Sequence, residues 1–331
     1  MQFRVAFYKI RIMKIMITGS TGFIGSHLVE RLSNVGEVYA LVRDKKRAGH
    51  FPAGVRIING DLFQSETWPE DTEYLIHLAA VTKVARKAEF LEINHRGTLA
   101  LLEKCRRLPV LRRIVFLSSL AAAGPSSCKR GLREEEEPRP VSRYGMSKLL
   151  AEKAVIEFSP VPFVIIRPPI VFGPGDFDML TALKTSRGRL VPVVSGDKGR
   201  YSIIHVRDLV RVIELCLQAD CENEIIHAAH PEPVEWRSFI AEAGRILGRE
   251  KTRFLPVPVS LISLAALGAD LFNRLLGRKA IFNLDKAREM RFSCWLCDTK
   301  KMNRLLGFSP EKPVFADLVE TIDWYRRQGL L

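Results

Sequence analysis

The chain has 331 residues, is 47% hydrophobic and 27% charged, and carries a formal net charge of +14. That size and composition describe a globular protein with one large domain and a smaller lobe, not a low-complexity chain. The basic residues form no single long run, and no helix-turn-helix, zinc-finger or RNA-recognition pattern occurs, so no nucleic-acid partner is expected; phosphorylated small molecules or an anionic surface suit the charge better.

Residues 1–12, "MQFRVAFYKIRI", lack the apolar core and cleavage site of a signal peptide and read as an N-terminal extension; Met13 could itself start translation. From there, strands and helices alternate. "KIMIT" is a β-branched apolar strand, and "IGSHLVERLSN" has Ile24, Leu28 and Leu32 on one helical face. "EVYALVR", "VRIINGDL" (ending at Asp61) and "TEYLIHLAA" follow as strands, then "EINHRGTLALLEKCRRL" as a helix. "RRIVFLSS" is a strand, "SRYGMSKLLAEKAVIEF" a helix and "PFVIIRPP" a strand. Near-continuous apolar strands separated by helices predict βαβ units around a parallel sheet covered on both faces. The fold class is therefore α/β: a Rossmann-type doubly wound parallel sheet with a smaller, mainly helical C-terminal substrate lobe.

Beyond Pro168 the pattern loosens into loop-rich segments, with "HVRDLVRVIELCLQ" returning to helix. The expected division is a dinucleotide-binding domain over 13–170, with 200–230 contributing, and a substrate lobe from 171–199 and 231–331. The "EEEE" run at 134–137 reads as a solvated loop. The stretch "FLPVPVSLISLAALGADLF", residues 254–272, is apolar but interrupted by Pro256, Pro258 and Asp270. It is too short for the about 20 clean residues a bilayer span needs. It reads as a buried helix or substrate lid, with an in-plane membrane contact through 254–279 as the alternative, aided by Arg274, Arg278 and Lys279. Of the six cysteines, Cys294 and Cys297 form a lone CxxC with no second pair nearby, so no metal site is expected and all six read as reduced thiols of a cytoplasmic protein.

The chemistry-bearing residues are concentrated in three places. "TGSTGFIG" sets Gly19, Gly22 and Gly25 between a strand and a helix, where the glycines allow a tight turn, close approach of a pyrophosphate and close helix packing. The free amides at the helix start suit phosphates. Tyr144 and Lys148 stand one helical turn apart, on one face. An ammonium beside a phenol favours phenolate and should lower the tyrosine pKa from its ordinary value of about 10. Ser119, at the end of a strand, can orient a substrate oxygen.

The GxxGxxG spacing, with "NGDL" at 59–62, "HLAA" at 77–80, "INHRGT" at 93–98, "FLSSLAAAG" at 116–124, "YGMSK" at 144–148, "RPPIVFGPGD" at 167–176 and "IIHVRDL" at 203–209, resembles the extended branch of the short-chain dehydrogenase/reductases, the NAD-dependent epimerase/dehydratase family. "CDTKKMNRLLGFSP" and the closing "TIDWYRRQGLL" are also similar to that branch. The resemblance implies catalytic roles for Ser119, Tyr144 and Lys148. It implies cofactor contacts by Gly19, Thr21, Gly22, Phe23, Ile24 and Gly25, by Asp61 and Leu62 at the adenine, by Leu78, Ala79 and Ala80 along the cofactor path, and by Pro169, Ile170 and Val171 at the nicotinamide. Lys148 would also hold the ribose hydroxyls. A homodimer through helices including the one bearing Tyr144 is the family's arrangement.

Where NAD-binding members place an acid after the second strand, this chain has Arg43, followed by Asp44, Lys45, Lys46 and Arg47. Arg43 and Lys46 favour the 2′-phosphate of NADP over NAD, although Asp44 could swing in. The chain departs from dehydratases of the branch, because Leu120 and Ala121 stand where those carry an acidic pair. It departs from nucleotide-sugar enzymes at Ile170, often Asn there, and at Arg200, one residue out of register. The expected function is NAD(P)-dependent interconversion of a ketone and a secondary alcohol on a small hydrophobic molecule. The alternatives are a nucleotide-sugar epimerase with tightly bound NAD, and a non-catalytic cofactor-binding or scaffold protein.

Overall fold

A computed structural model describes residues 13–84, 86–194, 199–275 and 284–331, with the side chains of 270–275 outside the description. The 1–12 extension and the cations at 274, 278 and 279 lie outside it. The strands, in chain order, are β1 (Met13–Thr18), β2 (Gly36–Val42), β3 (Arg56–Asn59), β4 (Tyr74–His77), β5 (Arg113–Leu117), β6 (Phe163–Arg167), β7 (Ile170–Phe172), β8 (Leu190–Val194), β9 (Arg200–Tyr201), β10 (Ile203–His205), β11 (Glu224–His227), β12 (Val234–Glu235), β13 (Arg253–Val257) and β14 (Cys294–Trp295). The helices are α1 (Phe23–Leu32), α2 (Gly97–Cys105), α3 (Leu120–Ala123), α4 (Arg143–Phe158), α5 (Phe177–Ser186), α6 (Val206–Gln218), α7 (Trp236–Ile246), α8 (Val259–Leu275), α9 (Leu284–Glu289), α10 (Lys300–Leu306) and α11 (Val314–Arg327).

Seven strands form one parallel sheet in the order β11-β6-β5-β4-β1-β2-β3. The chain enters at β1, winds outward through β2 and β3, then returns to β4 and winds the other way. This is the doubly wound α/β fold expected from the alternation. One face packs Ile15, Ile17 and Ile76 against Leu28 of α1 and Leu209 and Ile213 of α6, with Met302 and Phe308 from the C-terminal region joining them. The other face packs Met16, Leu75 and Phe116 against Leu101 of α2 and Ala151 and Val155 of α4. A separate core around Phe172, Phe239, Leu318 and Tyr325 organises the smaller lobe, and the Tyr325 hydroxyl donates to the Gly173 carbonyl at 3.2 Å.

Several local expectations are corrected. Asp61 lies past the end of β3, which stops at Asn59. The helix around "INHRGT" begins as a π-helical stretch, Phe90–Arg96, before α2. Glu134 of the "EEEE" run is buried, because its Oε1 accepts the His227 backbone N–H at 2.8 Å. Cys128 and Cys294 form a disulfide, so the six thiols are not all reduced, and Cys294 pairs across the fold instead of with Cys297, which remains a buried thiol. The 254–272 stretch splits at Pro258 into β13 and α8, and α8 is not a buried helix: Leu261 is 56% and Leu264 65% exposed. Among the described residues, no helix is long and apolar enough to cross a membrane.

Candidate active site

The sheet reverses its winding between β1 and β4, and the open crevice of such folds lies at the carboxyl ends of those two strands. The glycine turn sits there. Gly19 has φ +72°, and a Cβ on it would stand 2.7 Å from the backbone nitrogen of Ala79 and 2.8 Å from the Leu78 carbonyl carbon. Any side chain would therefore push the "HLAA" segment away. A Cβ on Gly25 would fall 2.2 Å from the Gly19 oxygen, so α1 also packs directly on the turn. Gly22 opens α1 with no side-chain cap, which leaves the first-turn amides for an anion. Ser20 fixes the turn to the sheet by donating to the Leu41 carbonyl at 3.0 Å. Thr21, Phe23 and Ile24 are part-exposed beside it, and Phe23, Ile24, Leu78 and Val171 border one apolar cluster. A cofactor pyrophosphate fits this cradle because the backbone, not side chains, lines it.

Arg43, Lys45, Lys46 and Arg47 are all exposed beyond β2. Asp44 is engaged locally: its Oδ1 accepts the Lys46 backbone N–H at 3.0 Å and caps the 3-10 turn Lys45–Ala48. Asp61 is likewise a cap, accepting from Phe63 and Gln64 at 2.9 and 2.8 Å. The Leu62 side chain is buried beneath α2, where a Cβ on Gly97 would meet Leu62 Cδ1 at 2.7 Å.

A buried polar chain joins the glycine turn to the tyrosine helix. Thr18 Oγ1 lies 2.7 Å from His77 Nδ1, and His77 Nε2 lies 3.0 Å from Thr98 Oγ1. Thr98 donates to the Asn94 carbonyl at 2.6 Å. Asn94 Oδ1 accepts the Val81 N–H at 2.8 Å, and Nδ2 donates to Ser147 at 2.9 Å. Burial, aided by the charge of Lys148, brings the His77 pKa down to about 3, so the imidazole is neutral. Asn94 and Thr98 lie inside "INHRGT", yet nothing local announces that they bridge two elements.

Tyr144 and Lys148 occupy the first and second turns of α4, and Ser119 stands opposite, two residues past the end of β5. The Ser119 side chain faces the Tyr144 phenol and favours its ionised form. Ser119 Oγ also accepts from the Ala121 N–H at 3.1 Å and caps α3, so the capping role and the site position coexist. Lys148 Nζ donates to the Leu117 carbonyl at 2.7 Å and lies 4.2 Å above the Phe116 ring. The Tyr144 phenol shifts opposite to the expectation from sequence, and Lys148 is itself shifted. Burial, with the charge of Glu289 aiding and the Ser119 side chain opposing, pushes the phenol up to about 12. Burial brings Lys148 down to about 7, with Glu152 opposing. Desolvation outweighs the ammonium because Lys148 is itself stripped of water and directed at the Leu117 carbonyl.

Pro169, Ile170 and Val171 follow β6 and are part-exposed. They are held near Ser119 by the backbone: Ser118 N donates to the Ile166 oxygen at 2.7 Å and Leu120 N to the Pro168 oxygen at 2.8 Å. Sequence reasoning missed Asp285 and Glu289, which reach α4 from α9, and the buried Glu152–Arg167 ion pair.

The chain matches the family model described as "NAD dependent epimerase/dehydratase family" over residues 15–229. It is 29% identical to a ceramide reductase of Caulobacter vibrioides, over 96% of each chain. It is 29% identical to a UDP-glucose 4-epimerase of Vibrio cholerae, over 81% of this chain and 83% of the relative. The crystal structure of a Bacillus cereus UDP-glucuronic acid 4-epimerase, in complex with UDP-glucuronic acid and NAD, superposes with a TM-score of 0.73 at 21% identity, covering 96% of this chain and 100% of that one. The chain belongs to the NAD-dependent epimerase/dehydratase family and is an enzyme of its oxidoreductase/epimerase class.

Proposed function

We propose that the protein is an NADP-dependent oxidoreductase that interconverts a ketone and a secondary alcohol on a small hydrophobic molecule. The observation that carries this reading is the placement of the Ser119 side chain against the Tyr144 phenol, with Lys148 one turn along the same helix. Ser119 and Tyr144 present two hydroxyls to one point, where both can bond a single substrate oxygen. Tyr144 gives its proton to that oxygen in reduction and takes one in oxidation. Its high pKa suits the donor role, because the phenol stays protonated until the oxygen gains charge. The cofactor, when bound, supplies or accepts the hydride. The glycine turn would hold its pyrophosphate, Lys148 its ribose, and Pro169, Ile170 and Val171 its nicotinamide. Leu78, Ala79 and Ala80 would line the path between, with Asp61 and Leu62 beside the adenine.

Arg43 and Lys46 support NADP, since their charges are exposed beyond β2 while the one adjacent acid, Asp44, is committed to a cap. Leu120 and Ala121 offer no acid for dehydration after Ser119. The exposed leucines of β13 and α8, beside exposed Lys251 and Arg253, support an apolar substrate and a peripheral contact with an anionic membrane surface. The second reading is a nucleotide-sugar epimerase, favoured by the epimerases among the similar proteins. Mass spectrometry of the purified protein and an NADPH-consumption assay with hydrophobic ketones decide between them. Stoichiometric consumption of NADPH, faster than of NADH, is expected. Retained NAD, with sugar interconversion and no net cofactor turnover, would establish the epimerase instead.

A further inference from the structure

Beneath the Tyr144–Lys148 pair lies a charge that the proposed proton transfer does not use. Glu152 stands four residues after Lys148, on the same face of α4, and is 1% exposed. Its Oε1 accepts from the Ser118 hydroxyl and from Arg167 Nε at 2.9 Å, and its Oε2 accepts from Arg167 Nη2 at 2.6 Å. Glu152 and its two partners belong to three elements of the candidate site. Ser118 adjoins Ser119 directly after β5. Arg167 ends β6, directly before Pro168 and Pro169. Glu152 itself is on the helix of Tyr144 and Lys148. The Lys148 ammonium is anchored on the carbonyl of Leu117, the residue before Ser118.

A fully buried ion pair is a poor stabiliser compared with apolar residues of the same volume. Its presence at this junction therefore points to placement and charge. The surrounding charges are few. Arg167 from β6 is bound bidentately to Glu152. His77 from β4 is neutral and, like Lys148, packs on the Phe116 ring. His227 from β11, beside Arg167 in the sheet, is also held neutral by burial, and Glu134 faces it. Asp285 and Glu289 from α9 lie at the Tyr144 end of α4. Glu152 is thus the carboxylate that opposes the loss of Lys148's charge.

We propose that Glu152 is a positioning residue: it sets a carboxylate one helical turn from Lys148 and, through Ser118 and Arg167, fixes Ser119 and the Pro168–Pro169 segment against the tyrosine helix. This rests on the reading of Lys148 as the ribose-binding cation.

The test is the affinity for NADPH, read by its fluorescence across the neutral and mildly alkaline range, in the native chain, in Glu152→Gln, and in the double variant Glu152→Gln with Arg167→Met. The double variant removes both buried charges and so avoids the strong destabilisation of an unpaired arginine. In the native chain the affinity should fall as Lys148 loses its proton. In Glu152→Gln that fall should begin about one pH unit or more lower, because a nearby opposite charge has been removed, and in the double variant it should begin lower by less, because the positive charge of Arg167 goes with it. A double variant whose cofactor titration superimposes on that of the native chain would overturn the proposal and leave Glu152 a structural ion pair. Lys148→Met separates the two readings: if it leaves the native cofactor titration unchanged, the ribose-binding role of Lys148 fails first.

Discussion

Asp285 caps the helix that carries Tyr144: its Oδ2 accepts the Tyr144 backbone N–H at 2.9 Å, while Oδ1 accepts that of Arg143 at 2.8 Å. Ser142 completes the end, accepting from Gly145 at 2.9 Å and donating to Glu289 at 2.8 Å. A segment more than a hundred residues downstream thus supplies the negative charge that the positive end of α4 favours. Asp285→Ala should cost about 1 kcal/mol of stability, the usual worth of a lost cap. It should lower turnover more than cofactor affinity, since Tyr144 sits in the first turn. Thermal melting and steady-state kinetics check both; an unchanged melting midpoint would contradict the capping role.

Cofactor choice is tested at Arg43. A charge-assisted hydrogen bond to a 2′-phosphate is worth about 1.4 kcal/mol or more, which is about tenfold in affinity. Arg43→Ala should therefore weaken NADP binding by about tenfold and leave NAD binding nearly unchanged. Equal effects on both would place Arg43 away from the 2′ position.

The depressed pKa of Lys148 makes stability depend on pH. The folded value is about 7 against 10.5 for the free side chain, so between these values the unfolded chain binds a proton that the folded chain does not. This group therefore destabilises the fold below about pH 7, and the penalty is relieved as pH rises toward 10.5. Lys148→Met should melt higher than the native chain at pH 7 and below, and that advantage should shrink through the alkaline window. Parallel melting curves across that window would show that Lys148 has no shifted pKa.

Most of the frame was legible because it rests on short-range rules. Gly19, Gly22 and Gly25 announce the turn, since backbone contacts there leave no room for a Cβ at Gly19 or Gly25. The apolar runs of β5 and β6 announce a sheet buried on both faces. Tyr144 and Lys148 share a face by helical spacing alone. What was hidden depends on long-range register. Asp285 lies in the polar "LDKARE", which looks like any solvated helix until it meets α4. Glu134 is an ordinary member of an acidic run until β11 brings the His227 amide to it. Cys294 has Cys297 close in sequence but Cys128 as its disulfide partner. The apolar α8 reads as core because composition does not say whether another element covers it. The direction of the Tyr144 shift was equally out of reach, since it depends on how completely the fold excludes water from the phenol.

The central claim is that Tyr144 exchanges the proton with the substrate oxygen. The direct measurement is hydride transfer by Tyr144→Phe in a single-turnover experiment with NADPH and a hydrophobic ketone that the native chain reduces. The account predicts a rate at least about a hundredfold lower, the usual contribution of a positioned general acid, with NADPH affinity nearly unchanged. Undiminished hydride transfer in that variant would contradict it.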